Sequence, residues 1–124
     1  RIKSLTDRNV PVSFHSDFSM APIEPLTLVW TAVNRIASEG IAYSPDQKID
    51  VYTALKAVTI SAARTINLEH EIGSIEIGKQ ANFVILENNP MRVEPQEIKD
   101  IEVYGTVFKG KLNIPISNWV YLGI

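Results

Sequence analysis

The chain has 124 residues, 45% hydrophobic and 21% charged, with a formal net charge of −2 at pH 7. That is a globular composition and excludes disorder, and the interspersed charges, with no basic patch interleaved with aromatics, exclude a nucleic-acid binder. The absence of cysteine excludes disulfides, thiol catalysis and cysteine metal sites, and no apolar run approaches the roughly 18 residues of a membrane span.

Residues 1–9 carry Lys3, Thr6, Asp7, Arg8 and Asn9 and read as the end of a helix and a turn. Arg1-Ile2-Lys3-Ser4 leads into polar residues, so no signal peptide is visible. A cytoplasmic location is the expectation. The chain does not begin with Met, and its true amino terminus is expected elsewhere. Val10, Val12 and Phe14 then alternate with Pro11, Ser13 and His15, which predicts a short strand with two different faces. Pro11 lacks an N–H and belongs near the strand's start or on an edge. The strand runs into Ser16-Asp17 and a loop, Phe18-Ser19-Met20-Ala21-Pro22. The pleat would point His15 and Asp17 to one face.

A first long helix is predicted from Pro25, with Leu26, Val29, Trp30, Val33, Ile36 and Ala37 on one face and Gly40 as its stop. Asp50 caps a second helix, whose stripe is Val51, Ala54, Leu55 and Val58, with Ile49 placed to staple against Ala54 or Leu55. Thr59 reads as the cap of a short helix that turns Ala62, Ala63 and Ile66 inward.

The text changes at about Leu68 to short apolar runs between glycines. Gly73 and Gly78 mark turns, 81–86 is rich in β-formers, and Asn88-Asn89-Pro90 ends that run. Residues 95–100 suggest one helical turn. Residues 101–108 and 111–114 read as strands joined at Lys109-Gly110. The chain thus divides into a β/α segment, 1–67, and a β-rich segment, 68–124. One barrel-type strand with a few helices cannot close a barrel, and each amphipathic helix needs a sheet to cover its stripe. The expectation is the tail of a longer protein.

Strand, polar cluster, loop and helix is the order of a β/α unit, and in (β/α)₈ barrels the chemistry sits at the carboxyl ends of strands. Asp17 occupies that place. A loop aspartate is also a common turn cap, so both readings stand at this point. His15 is either a packed, hydrogen-bonded histidine or a neighbour of metal or substrate. His70 follows Leu68-Glu69 in a polar connection and reads as a surface residue. Trp30 and Trp119 read as packing anchors. The Gly73–Lys79 stretch has half the spacing of a phosphate loop, but no Ser or Thr follows Lys79, which argues against nucleotide binding.

Thr59-Ile60-Ser61-Ala62-Ala63-Arg64, followed by Gly73-Ser74-Ile75-Glu76-Ile77-Gly78-Lys79-Gln80-Ala81-Asn82-Phe83-Val84-Ile85-Leu86, resembles the tail signature of the metal-dependent amidohydrolase superfamily. That signature runs T-x-x-A-A, then G-S-I-x-x-G-K-x-A-D-x-V-x-L. His15-Ser16-Asp17, Pro25-Leu26, Ala32-Val33-Asn34-Arg35 and Gly105-Thr106-Val107 narrow the resemblance to the amidohydrolase-3 group, which includes enzymes like N-substituted formamide deformylase. The resemblance covers roughly residues 10–112.

It implies an α/β fold: the last β/α portion of a (β/α)₈ TIM barrel, followed by the carboxyl-terminal part of a small composite β-sandwich. Residues 10–16 would be the eighth strand and 72–114 the sandwich share. It implies that Asp17 is a metal ligand and takes the proton from the attacking water, with His15 as a possible supporting or substrate-contacting residue. The cofactor implied is a divalent metal, Zn²⁺ by preference, and the substrate a small molecule with a non-peptide, amide-type C–N bond. Asn82 departs from the signature's Asp. The family's other metal ligands, a His-x-His pair among them, are absent, since His15 and His70 are the two histidines. A catalytic zinc site commonly draws on about three protein ligands plus an open position. The chain alone is therefore expected to bind metal weakly and to be inactive. The rival expectation is a non-catalytic, truncated module that folds and self-associates. Either way, self-association or pairing with a missing amino-terminal part is expected, because the helix stripe and the strand edges would lack neighbours.

Overall fold

The computed structural model describes residues 1–37 and 39–114, so Trp119 lies outside the described residues. A short helix, α1 (Ile2–Thr6), leads to an extended segment and then to α2 (Pro25–Asn34). A 3₁₀ turn at Pro45–Gln47 precedes α3 (Val51–Ala57) and α4 (Ile60–Thr65). The remainder holds β1 (Phe83–Leu86), a 3₁₀ turn at Pro95–Asp100, β2 (Val103–Phe108) and β3 (Lys111–Asn113).

The helix starts follow local chemistry. Pro25 stands in the first turn of α2, where its missing N–H costs nothing. The Asp50 carboxylate caps α3 by accepting from the Thr53 amide at 2.8 Å and from the Thr53 hydroxyl at 2.6 Å. Thr59 does not cap α4 as expected. Its hydroxyl instead donates to the Leu55 carbonyl at 2.8 Å, at the end of the preceding helix. Gly40 does not end α2 either. The helix stops at Asn34 because Arg35 turns left-handed, and Arg35 and Tyr43 then bond to each other through their backbones.

Val29, Ala32, Val33, Ile49, Ala54 and Ile98 form the buried cluster, with Trp30, Phe14, Leu26 and Leu55 packed against it. Ile49 joins Ala54 there, as a staple before α3 would. The stripe of α2 was expected to face nothing within this chain. Instead the 95–100 turn lies across it. Ile98 is fully buried, and the Trp30 indole N–H donates to the Gln96 carbonyl at 2.9 Å. Asn34, also buried, reaches the same turn by donating to the Pro95 carbonyl at 2.8 Å. In α4 only Ala63 is buried; Ile66, expected inward, falls beyond the helix end and is exposed.

The sheet is antiparallel, in the order β1-β2-β3. Phe83 pairs with Val107 and Val107 with Leu112. Lys109 and Gly110 both take positive φ, the conformation a two-residue hairpin turn requires. Asn82 supports that turn, its side-chain oxygen accepting from the Lys109 N–H at 2.8 Å. An aspartate offers the same acceptor, so the departure from the family signature leaves this job intact.

The 10–16 stretch is a correction. It is extended but joins no sheet among the described residues. The Phe14 N–H donates to the Ala57 carbonyl at 3.1 Å, and the Thr65 hydroxyl to that of Ser13 at 2.9 Å. The alternating pattern gives the segment two faces, but a strand exists only when another backbone pairs with it.

Candidate functional site around Asp17

The extended segment delivers Asp17 to an exposed position at its carboxyl end. Asp17 adopts a left-handed φ of 52°, a conformation that aspartate tolerates better than most residues. The pleat therefore ends before Asp17, and the expected common face of His15 and Asp17 does not form. A different relationship replaces it: the Asp17 N–H donates to Nδ1 of His15 at 3.1 Å. The Met20 N–H donates to the Asp17 carbonyl at 2.7 Å, which closes a tight turn over residues 17–20.

The two bonds use the backbone of Asp17 and leave its carboxylate without a hydrogen-bond partner among the described residues. An accepting Nδ1 puts the neutral ring's proton on Nε2, so His15 has no lone pair to spare in this arrangement. His15 fits the role of shaping the turn rather than of ligand. Asp17 fits a divalent cation through its open carboxylate oxygens, as one donor of a set. Among the described residues no three His, Asp or Glu side chains come together as a metal-holding group. His70 is exposed, 3.7 Å from the Glu69 carboxylate, and takes no part in this site.

A cleft of about 340 Å³ lies between the extended segment and helices α3 and α4, lined by Val12, Phe14, Thr53, Lys56 and Arg64 among others. Asp17 does not line it. It marks where the backbone of 10–14 is left unpaired, and it holds no acid–base pair.

Sequence reasoning missed the Asp17–Met20 turn, and with it the placing of Phe18 and Met20. The loop signal was present in Ser19, Ala21 and Pro22, but the bond from residue 20 back to 17 has no signature of its own.

An exposed carboxylate at the end of an extended segment, next to a helical layer and a small antiparallel sheet, defines the terminal part of a hydrolase-type α/β protein. The Amidohydrolase family model matches residues 1–113, and the chain belongs to that family. The N-substituted formamide deformylase of Arthrobacter pascens is 33% identical over 111 residues, which cover 90% of this chain and 20% of the deformylase. Protein LONG AFTER FAR-RED 3 of Arabidopsis thaliana is 43% identical over 88 residues, 70% of this chain and 15% of that protein. Among solved structures, an amidohydrolase from Thermotoga maritima MSB8 superposes with a TM-score of 0.65 at 24% identity, over 90% of this chain and 24% of its own. That likeness concerns the fold. The chain thus spans about a fifth of the length of the deformylase.

Proposed function

We propose that this chain is the carboxyl-terminal part of a metal-dependent amidohydrolase that cleaves non-peptide, amide-type C–N bonds. In this reading residues 10–16 pair as the last strand of a (β/α)₈ barrel in the whole protein, and the three-stranded sheet belongs to a β-sandwich. The observation that carries it is the open Asp17 carboxylate at the end of that segment, in a chain whose family match runs from residue 1 to 113. Asp17 holds a divalent metal, Zn²⁺ by preference, together with donors from outside this chain. The metal, when bound, supplies positive charge to polarise the amide carbonyl. Asp17 accepts the proton of the attacking water and returns it to the leaving amine. His15 keeps the Asp17 backbone in place through its accepting Nδ1. N-substituted formamides are the first substrates to test, since the Arthrobacter pascens relative is named for them.

Asp17→Asn in the full-length protein keeps the shape and loses the charge and the base. The expected result is a fall in kcat of roughly 10² or more with an unchanged melting temperature. A near-normal kcat would reduce Asp17 to a turn residue.

A second reading, a non-catalytic module that self-associates, draws support from the open sheet edges of β1 and β3. A full-length protein that turns over no amide while the 124-residue chain oligomerises would favour it.

A further inference from the structure

The turn after Asp17 carries large apolar side chains in the open: Phe18 is 70% exposed, Met20 84% and Ile23 71%. Single exposed apolar residues are ordinary on a protein surface, whereas a cluster marks a place where something apolar is met. Phe18 and Met20 cannot drift from Asp17, because the 2.7 Å bond from the Met20 N–H to the Asp17 carbonyl holds all three in one turn. His15 fixes the other side of that turn at 3.1 Å. A carboxylate that exchanges protons with water and a leaving group must stay open to both. Side chains locked into the same turn cannot be sealed under other parts of the protein without closing off the carboxylate too.

We propose that Phe18 and Met20 form an apolar wall beside Asp17 that selects substrates bearing an apolar substituent next to the scissile bond. The inference rests on the reading of Asp17 given under the proposed function. A phenyl ring and a thioether offer little hydrogen bonding, so the wall discriminates by apolar area. Each fully buried methylene is worth a factor of about 4 in selectivity.

The test uses the full-length protein with N-methylformamide and N-butylformamide as substrates, and methylamine and butylamine as calorimetric ligands. Wild type is expected to favour the butyl member by roughly tenfold or more in kcat/KM. Phe18→Ala and Met20→Ala are each expected to lower that ratio several-fold, with the larger loss on the butyl member, and Phe18→Leu to retain most of it. Equal losses on both members would overturn the wall, because Phe18 would then act only by shaping the Asp17 turn. The absence of a chain-length preference in both turnover and amine binding would overturn it as well. A butylamine preference that Phe18→Ala reduces, in a protein that hydrolyses neither formamide, would support the wall and count against the formamide reading instead.

Discussion

Gly73 lies against Ala63 so closely that a Cβ on the glycine would come within 2.7 Å of the alanine methyl and 2.9 Å of the Ile60 Cα. The two halves of the tail signature, T-x-x-A-A and G-S-I, therefore touch in space. The contact seats the start of the glycine-rich stretch on α4. The chain reaches it through Asn67, which turns left-handed, and through the Leu68 N–H, which donates to the Ala63 carbonyl at 2.9 Å. This is a recognised way to end a helix.

Gly73→Ala should be costly for two reasons: its φ is +91°, and the new methyl collides with backbone as well as side chain. Together these predict a loss of about 2–4 kcal/mol. Gly78→Ala has a similar φ of +92° but open space around it, and should cost only about 1–2 kcal/mol. Urea unfolding of the two variants in the full-length protein checks the difference. Equal losses would mean that the Ala63 contact yields easily.

Asp50 predicts a pH dependence. Burial pushes its carboxyl up, but the hydroxyl and amide of Thr53 together pull it down further, so it lies below its ordinary value. A depressed carboxylate stabilises the fold above its unfolded-state pKa, and that contribution is lost as the pH falls through the lower folded value. Asp50→Ala should cost about 1 kcal/mol near neutral pH. The gap from wild type should begin to close below about pH 4. A gap that stayed constant to the acid limit would show that the charge on Asp50 contributes nothing.

His15→Ala in the full-length protein removes the acceptor for the Asp17 N–H. One such bond is worth about 1 kcal/mol, which is roughly a fivefold fall in kcat if all of it appears in the barrier. His15→Asn keeps a side-chain acceptor in the same region and should recover part of the loss. A loss in His15→Ala as deep as that of Asp17→Asn, with no recovery in His15→Asn, would place His15 in direct contact with metal or substrate.

The isolated 124-residue chain should self-associate at micromolar concentration. The covering of the α2 stripe by Ile98 removes one expected route, so the sheet is the remaining one. Val84, Phe108 and Leu112 are exposed on it, and β1 and β3 are both edges. Ile85→Lys on β1 should shift the sedimentation profile towards monomer, since an edge lysine opposes strand addition. A wild-type chain that sediments as a compact monomer would end this expectation.

The sequence by itself determined what depends on near neighbours along the chain. Pro25 and Asp50 start their helices through their own backbone and side-chain chemistry, and Lys109-Gly110 makes its hairpin by tolerating positive φ. The tail signature was likewise readable as text, since it lies in one continuous stretch, and so was the strand-end place of Asp17. Tertiary structure decided what depends on partners far away in the chain. The alternation of 10–16 promised a strand, but pairing needs a second backbone, and none of the described residues supplies it. The α2 stripe could be read as apolar, yet only the return of the chain at 95–100 determined that Ile98 would cover it. Gly73 could be read as a turn, while the pressure of Ala63 on it came from packing. The turn joining His15, Asp17 and Met20 has the same origin: its bonds follow from a left-handed φ at Asp17, which composition permits but does not dictate.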